Sequence, residues 1–110
     1  MSERDEAAGG GGAGGARLDA VVVGRVQGVG FRAFVLDVAH ELELAGWVRN
    51  EPDGSVRCVA EGPRPLLEEL EARLREGPWG ARVERVVATW TAPFGEAPGF
   101  RIRSGGHSGD

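Results

Sequence analysis

The sequence predicts an α+β fold of ferredoxin-like order, β-α-β-β-α-β: a sandwich with two helices on one face of an antiparallel sheet. Three observations carry that expectation. Apolar residues recur at helical spacing in two separate stretches, Phe31 to Leu42 and Leu66 to Leu74. Alternating or β-branched runs flank each stretch. The two middle runs are joined by Pro52-Asp53-Gly54, a strong turn signal that makes them a hairpin.

Taken in order, residues 17–24 read as a first strand, with Leu18, Ala20 and Val22 on one face and Val21 and Val23 on the other. Two apolar faces place that strand centrally in the sheet. A glycine loop follows. Phe31, Phe34, Val35, Val38 and Leu42 then form one side of a helix whose other side carries Asp37, His40, Glu41 and Glu43, and Gly46 is the expected terminator. Residues 46–50 give a second strand. Ser55 to Glu61 gives a third, with Val56, Cys58 and Ala60 on one face. Gly62-Pro63-Arg64-Pro65 breaks the strand and opens a second helix, lined by Leu66, Leu67, Leu70 and Leu74, with Glu68, Glu69, Glu71, Arg73 and Arg75 outside and Gly77-Pro78 at its end. A fourth strand spans 81–91. Its apolar residues Val83, Val86, Val87 and Trp90 alternate imperfectly, which leaves its inward face open. Phe100 and Ile102 mark a short edge strand beyond the Pro93–Gly99 loop.

Composition sets the boundaries. Residues 1–16 and 104–110 are rich in Gly and polar groups, and both segments are expected to be disordered extensions. Residues 17–103 then form one small domain. The net charge of −4 argues against a general affinity for nucleic acid. No stretch has the apolar length of a signal peptide or a membrane span, and one cysteine, Cys58, fits a reducing compartment, so a cytoplasmic protein is expected. All 13 basic residues are arginine, so lysine-dependent chemistry is excluded.

The most informative stretch is residues 22–32. Three valines run into Gly24-Arg25-Val26-Gln27-Gly28-Val29-Gly30, after which Phe31 and Arg32 open the first helix. A strand that turns through glycines into a helix presents backbone N–H groups at the positive end of the helix dipole. Glycine permits the close approach and positive φ that wrapping an oxyanion requires. Arg32 can close its planar fork on the same anion. The loop Arg25–Gly30 with Arg32 therefore reads as a phosphate cradle, set against the plainer reading of a glycine turn that only connects strand to helix. A Walker A loop is excluded, because the spacing and the Lys-Ser/Thr ending are missing. Gly28-x-Gly30-x-x-Ala33 imitates a dinucleotide fingerprint, but the second strand enters a hairpin instead of another parallel crossover.

Asn50 ends the second strand, and in this topology that strand end can lie beside the cradle. Its amide has one acceptor and two donors, enough to hold a water and a phosphoryl oxygen together; it also reads simply as a turn starter. Cys58, His40 and His107 are too isolated to ligate a metal, and no serine has a His and acidic partner. Water is then the nucleophile, and the tools are Arg32, Asn50 and backbone amides. So sparse a set suits phosphoryl transfer, where positioning and electrostatics dominate. It suits best a substrate whose leaving group is a carboxylate of low pKa, an acyl phosphate.

Residues 22–32 and Gly46-Trp47-Val48-Arg49-Asn50-Glu51-Pro52-Asp53-Gly54-Ser55-Val56-Arg57-Cys58-Val59-Ala60-Glu61-Gly62 closely resemble the two signature regions of the acylphosphatases, a similarity that extends over residues 17–103. The resemblance implies hydrolysis of a small-molecule acyl phosphate to a carboxylate and inorganic phosphate, without metal or cofactor; a monomer without nucleic-acid or membrane partners is expected. It assigns phosphate binding to Arg32 with the loop amides, and orientation of the attacking water to Asn50. Glu51 stands where animal members of the family often carry threonine, and puts a carboxylate near the cradle. Rival readings are a ferredoxin-like module that binds phosphate or a phosphorylated ligand without turnover, and a carbamoyl-phosphate-handling domain of the type that opens hydrogenase maturation proteins. An RNA-binding domain of this fold is disfavoured by the acidic charge and the absence of tyrosine.

Overall fold

The computed structural model describes residues 15–105. The expected tails therefore lie almost wholly outside the described residues, although Ala16, counted from composition with the N-terminal tail, begins the first strand. Seven elements follow in order: β1 (Ala16–Arg25), α1 (Phe31–Glu41), β2 (Ala45–Asn50), β3 (Val56–Gly62), α2 (Arg64–Glu76), β4 (Arg82–Thr91) and β5 (Phe100–Ile102). They form one five-stranded sheet in the order β4-β1-β3-β2-β5. The β1–β4, β1–β3 and β2–β3 pairings are antiparallel, as expected. The outermost pairing is not. β5 runs parallel to β2, with Gly46 opposite Phe100 and Val48 opposite Ile102, so the sheet is mixed at that edge.

Side-chain alternation divides the sheet into two faces. Leu18, Ala20 and Val22 of β1, Val48 of β2, and Val56, Cys58 and Ala60 of β3 are fully buried beneath the helices. Phe31, Val35 and Val38 of α1 and Leu67, Leu70 and Leu74 of α2 close the core from above. Each buried aliphatic side chain of this size stabilises the fold by about 1.5–3 kcal/mol relative to exposure. Among the described residues no helix covers the opposite face, where Asp19 and Arg57 pair and the Arg49, Arg57 and Arg103 guanidiniums surround the Trp47 ring at 4.9, 5.6 and 4.6 Å. β1 is central as expected, but its second apolar face, Val21 and Val23, is only half buried.

Two local features depart from the sequence reading. The first helix does not wait for Gly46. Glu43 adopts the left-handed conformation (φ 56°), its N–H donates to His40 O, and Leu44 N–H donates to Ala39 O, which closes a Schellman cap with Leu44 buried beneath it. Gly46 instead lies within β2, where a Cβ would sit 2.0 Å from Val59 O. The second feature explains the uneven pattern of β4. The β1–β4 register shifts between Val23 and Gly24, so that Arg85 pairs with Val23 but Val83 pairs with Gly24, and Glu84 is the extra residue. The bulge reverses the phase of alternation, and Val83, Val86, Ala88 and Trp90 all pack against the core.

Candidate active site

The end of β1, the start of α1 and the end of β2 meet at one edge of the sandwich. There a concavity of about 340 Å³ is lined by Val26, Gly28, Gly30, Phe31, Arg32, Ala33, Asn50 and Ile102. Gly28 (φ 77°) and Gly30 (φ 79°) both adopt the left-handed conformation, and a Cβ on either would meet nothing within 4 Å. Their role is to turn the backbone, and they leave open space on the cavity side. Gly30 is also the N-cap of α1 and contributes no side-chain cap, so the first amides of the helix lie at the cavity with the positive end of the dipole.

Of the loop residues singled out from sequence, Val26, Gly28 and Gly30 line the cavity, while Arg25, Gln27 and Val29 do not. Val26 is buried and anchors the loop in the core, Val29 packs half-buried against it, and Arg25 is exposed at the end of β1. Gln27 turns towards the hairpin. Its Nε2 donates to Glu51 O at 2.8 Å and to Ser55 O at 2.9 Å. Arg32 stands half-buried in the first turn of α1, and Asn50, 2% exposed, enters the same cavity from the last position of β2. Among the described lining residues Arg32 carries the only charge, which favours an anion. Glu51 does not approach the cradle. It follows Asn50 by one residue and therefore leaves the strand on the other side, where its carboxylate accepts from Arg49 Nε at 2.9 Å. It borders a second, more open concavity with Asp19, Val21 and Arg57 on the helix-free face.

Sequence reasoning did not single out Ile102, Phe31 or Ala33 as lining residues. Ile102 reaches the cavity because β5 pairs in parallel with β2, a long-range partnership that three strand residues do not announce. His40, expected in solvent, is exposed but places Nε2 3.0 Å from Phe100 O and so links α1 to β5.

A ferredoxin-like sandwich with a glycine-turned, arginine-bearing concavity at the mouth of α1 defines a class of small α+β domains. The comparisons with known proteins narrow it. The family model for acylphosphatase matches residues 18–102, and the chain belongs to that family. An acylphosphatase of Salinibacter ruber is 52% identical over 87 residues, which cover 79% of this chain and 92% of that protein. One from Thermus thermophilus is 51% identical over 86 residues, covering 78% and 97%. The crystal structure of acylphosphatase from Bacillus subtilis superimposes with a TM-score of 0.78 at 36% identity, over 80% of this chain and 98% of that one. No helix among the described residues is long and apolar enough to cross a membrane.

Proposed function

We propose that the backbone amides of Arg25–Gly30 and the guanidinium of Arg32 hold the phosphate of a small-molecule acyl phosphate, and that Asn50 orients the water that attacks it. The protein is an enzyme of the acylphosphatase family and hydrolyses acyl phosphates; the assignment of roles to residues is what is proposed. The observation that supports it is the shared concavity, in which the Arg32 guanidinium, a left-handed glycine turn ahead of a helix without a side-chain cap and the buried Asn50 amide converge.

In this scheme the dianion seats against donors that are already arranged, so little reorganisation is needed as charge redistributes over the phosphoryl oxygens. The Asn50 carbonyl accepts a hydrogen bond from water, and its amide donates to a phosphoryl oxygen. Water oxygen bonds to phosphorus as the bond from phosphorus to the acyl oxygen breaks, and the water's proton passes to a phosphate oxygen. The departing carboxylate, with a pKa near 4, needs no acid. Inorganic phosphate and a free carboxylate are the products. Assembly of the whole concavity from one chain supports action as a monomer, and Cys58, held as a buried thiol, supports a reducing, cytoplasmic setting.

Turnover of benzoyl phosphate in EDTA tests the scheme. Arg32→Ala should lower kcat/KM by about 10³–10⁵. Retention of wild-type turnover by that variant would remove Arg32 from the mechanism.

A further inference from the structure

We infer that Gln27 is the positioning residue that holds the cradle loop and Asn50 at a fixed separation; the inference rests on the roles given above to Arg32 and Asn50. The β1–β3 ladder ends at Val22 opposite Val56, and the β2–β3 ladder ends at Asn50 opposite the same Val56. Beyond that residue no strand pairing among the described residues connects the two sides of the site. The Gln27 side chain spans the gap, with Nε2 2.8 Å from Glu51 O and 2.9 Å from Ser55 O. Ser55 O also accepts from Glu51 N–H at 2.9 Å, the bond that closes the hairpin turn. Gln27 therefore grips the turn at its base, one residue beyond Asn50.

The chemistry separates this role from phosphate binding. A glutamine amide nitrogen carries two hydrogens, and both are committed to carbonyls. The remaining oxygen is an acceptor only and repels an oxyanion. The side chain of Gln27 is thus a clamp within a loop whose backbone faces the anion. A displacement of about 1 Å between catalytic group and substrate costs as much as a hundredfold in rate, so a clamp of this kind acts on kcat.

The test compares wild type with Gln27→Met, which keeps the length and removes both donors, and with Gln27→Lys, whose ammonium has three donors for the same carbonyls. Readouts are kcat and KM for benzoyl phosphate, inhibition by inorganic phosphate, and backbone hydrogen exchange at Glu51. Gln27→Met should lose about 10–100-fold in kcat, with phosphate inhibition changed less than about threefold and Glu51 exchange accelerated about tenfold or more. Gln27→Lys should recover most of the loss, and it tests the clamp by itself if the Met variant does not fold. Unchanged kcat and exchange in folded Gln27→Met, an equal loss in Gln27→Lys, or phosphate affinity falling in step with kcat would each overturn the inference. If the wild-type protein neither turns over benzoyl phosphate nor binds phosphate, the roles of Arg32 and Asn50 fail. The clamp itself is then judged by Glu51 exchange, and an unchanged rate there overturns it too.

Discussion

Arg17 on β1 and Glu61 on β3 stand directly opposite each other, and Arg17 Nη1 lies 2.8 Å from Glu61 Oε2. The same carboxylate accepts from three successive backbone amides of the β4–β5 loop: Phe94 at 2.6 Å, Gly95 at 3.1 Å and Glu96 at 2.9 Å. Arg17 in turn reaches Glu96 at 3.0 Å, and its guanidinium stacks 4.0 Å from the Phe94 ring centroid. Burial raises the pKa of Glu61, but the amides and Arg17 outweigh it and hold the carboxyl below its ordinary range. A depressed pKa contributes stability above the unfolded-state value, near 4.3, and that contribution fades as pH falls towards the folded value. Stability measured by urea unfolding should therefore fall below about pH 4.3. Glu61→Gln should cost about 2–3 kcal/mol at neutral pH and flatten that acid slope. An unaltered slope in the variant would assign the acid sensitivity to other carboxylates.

Asn50 is buried to 2% exposure, and its predicted contribution is to rate. Asn50→Ala should lower kcat about a hundredfold while inhibition by inorganic phosphate changes little, because positioning a water matters in the transition state more than in the product complex. Loss of phosphate affinity in proportion to kcat would make Asn50 a phosphate ligand instead.

Two glycines with positive φ should respond very differently to alanine. At Gly46 a Cβ would sit 2.0 Å from Val59 O and 2.9 Å from Ala60 Cα, both backbone atoms of the adjacent strand. Neither can withdraw without breaking the β2–β3 ladder, so Gly46→Ala should destabilise by about 3 kcal/mol or more. At Gly28 nothing lies within 4 Å, and only the left-handed backbone opposes the change, a cost of about 1–2 kcal/mol. Thermal unfolding of the two variants checks the order.

Cys58 is completely buried on the helix-covered face of β3, and burial pushes its thiol up to about 12. Only the thiolate is nucleophilic, so the native protein should resist thiol reagents near pH 8 and react with one equivalent once denatured. Prompt labelling of the folded protein would show that β3 opens locally.

The fold was legible because its elements follow simple periods. Leu67, Leu70 and Leu74 repeat as a buried helix must, and Val56, Cys58 and Ala60 as a half-buried strand must. The glycine turn ahead of α1 was legible because left-handed turns and glycine go together, as Gly28 and Gly30 show. The misreadings have specific physical sources. Glu43 supplies the left-handed residue at the end of α1, so the next glycine was free to serve another strand. The bulge at Glu84 erased a period that each half of β4 obeys separately. Ile102 and both carbonyl partners of Gln27 depend on contacts between distant segments, which local pattern does not encode. The direction of Glu51 was readable in principle from strand alternation with Asn50, and Arg49 beside it neutralises the charge that seemed to threaten the cradle.

Because β3 lies between β1 and β2, the strand ends that carry the cradle and Asn50 stand two interstrand steps apart, roughly 9–10 Å. As far as Val56, where both ladders end, that gauge is written in main-chain hydrogen-bond lengths; past it the loop depends on the Gln27 side chain. The sheet thus sets the coarse span between the two strand ends, and one amide side chain trims what the ladder leaves loose.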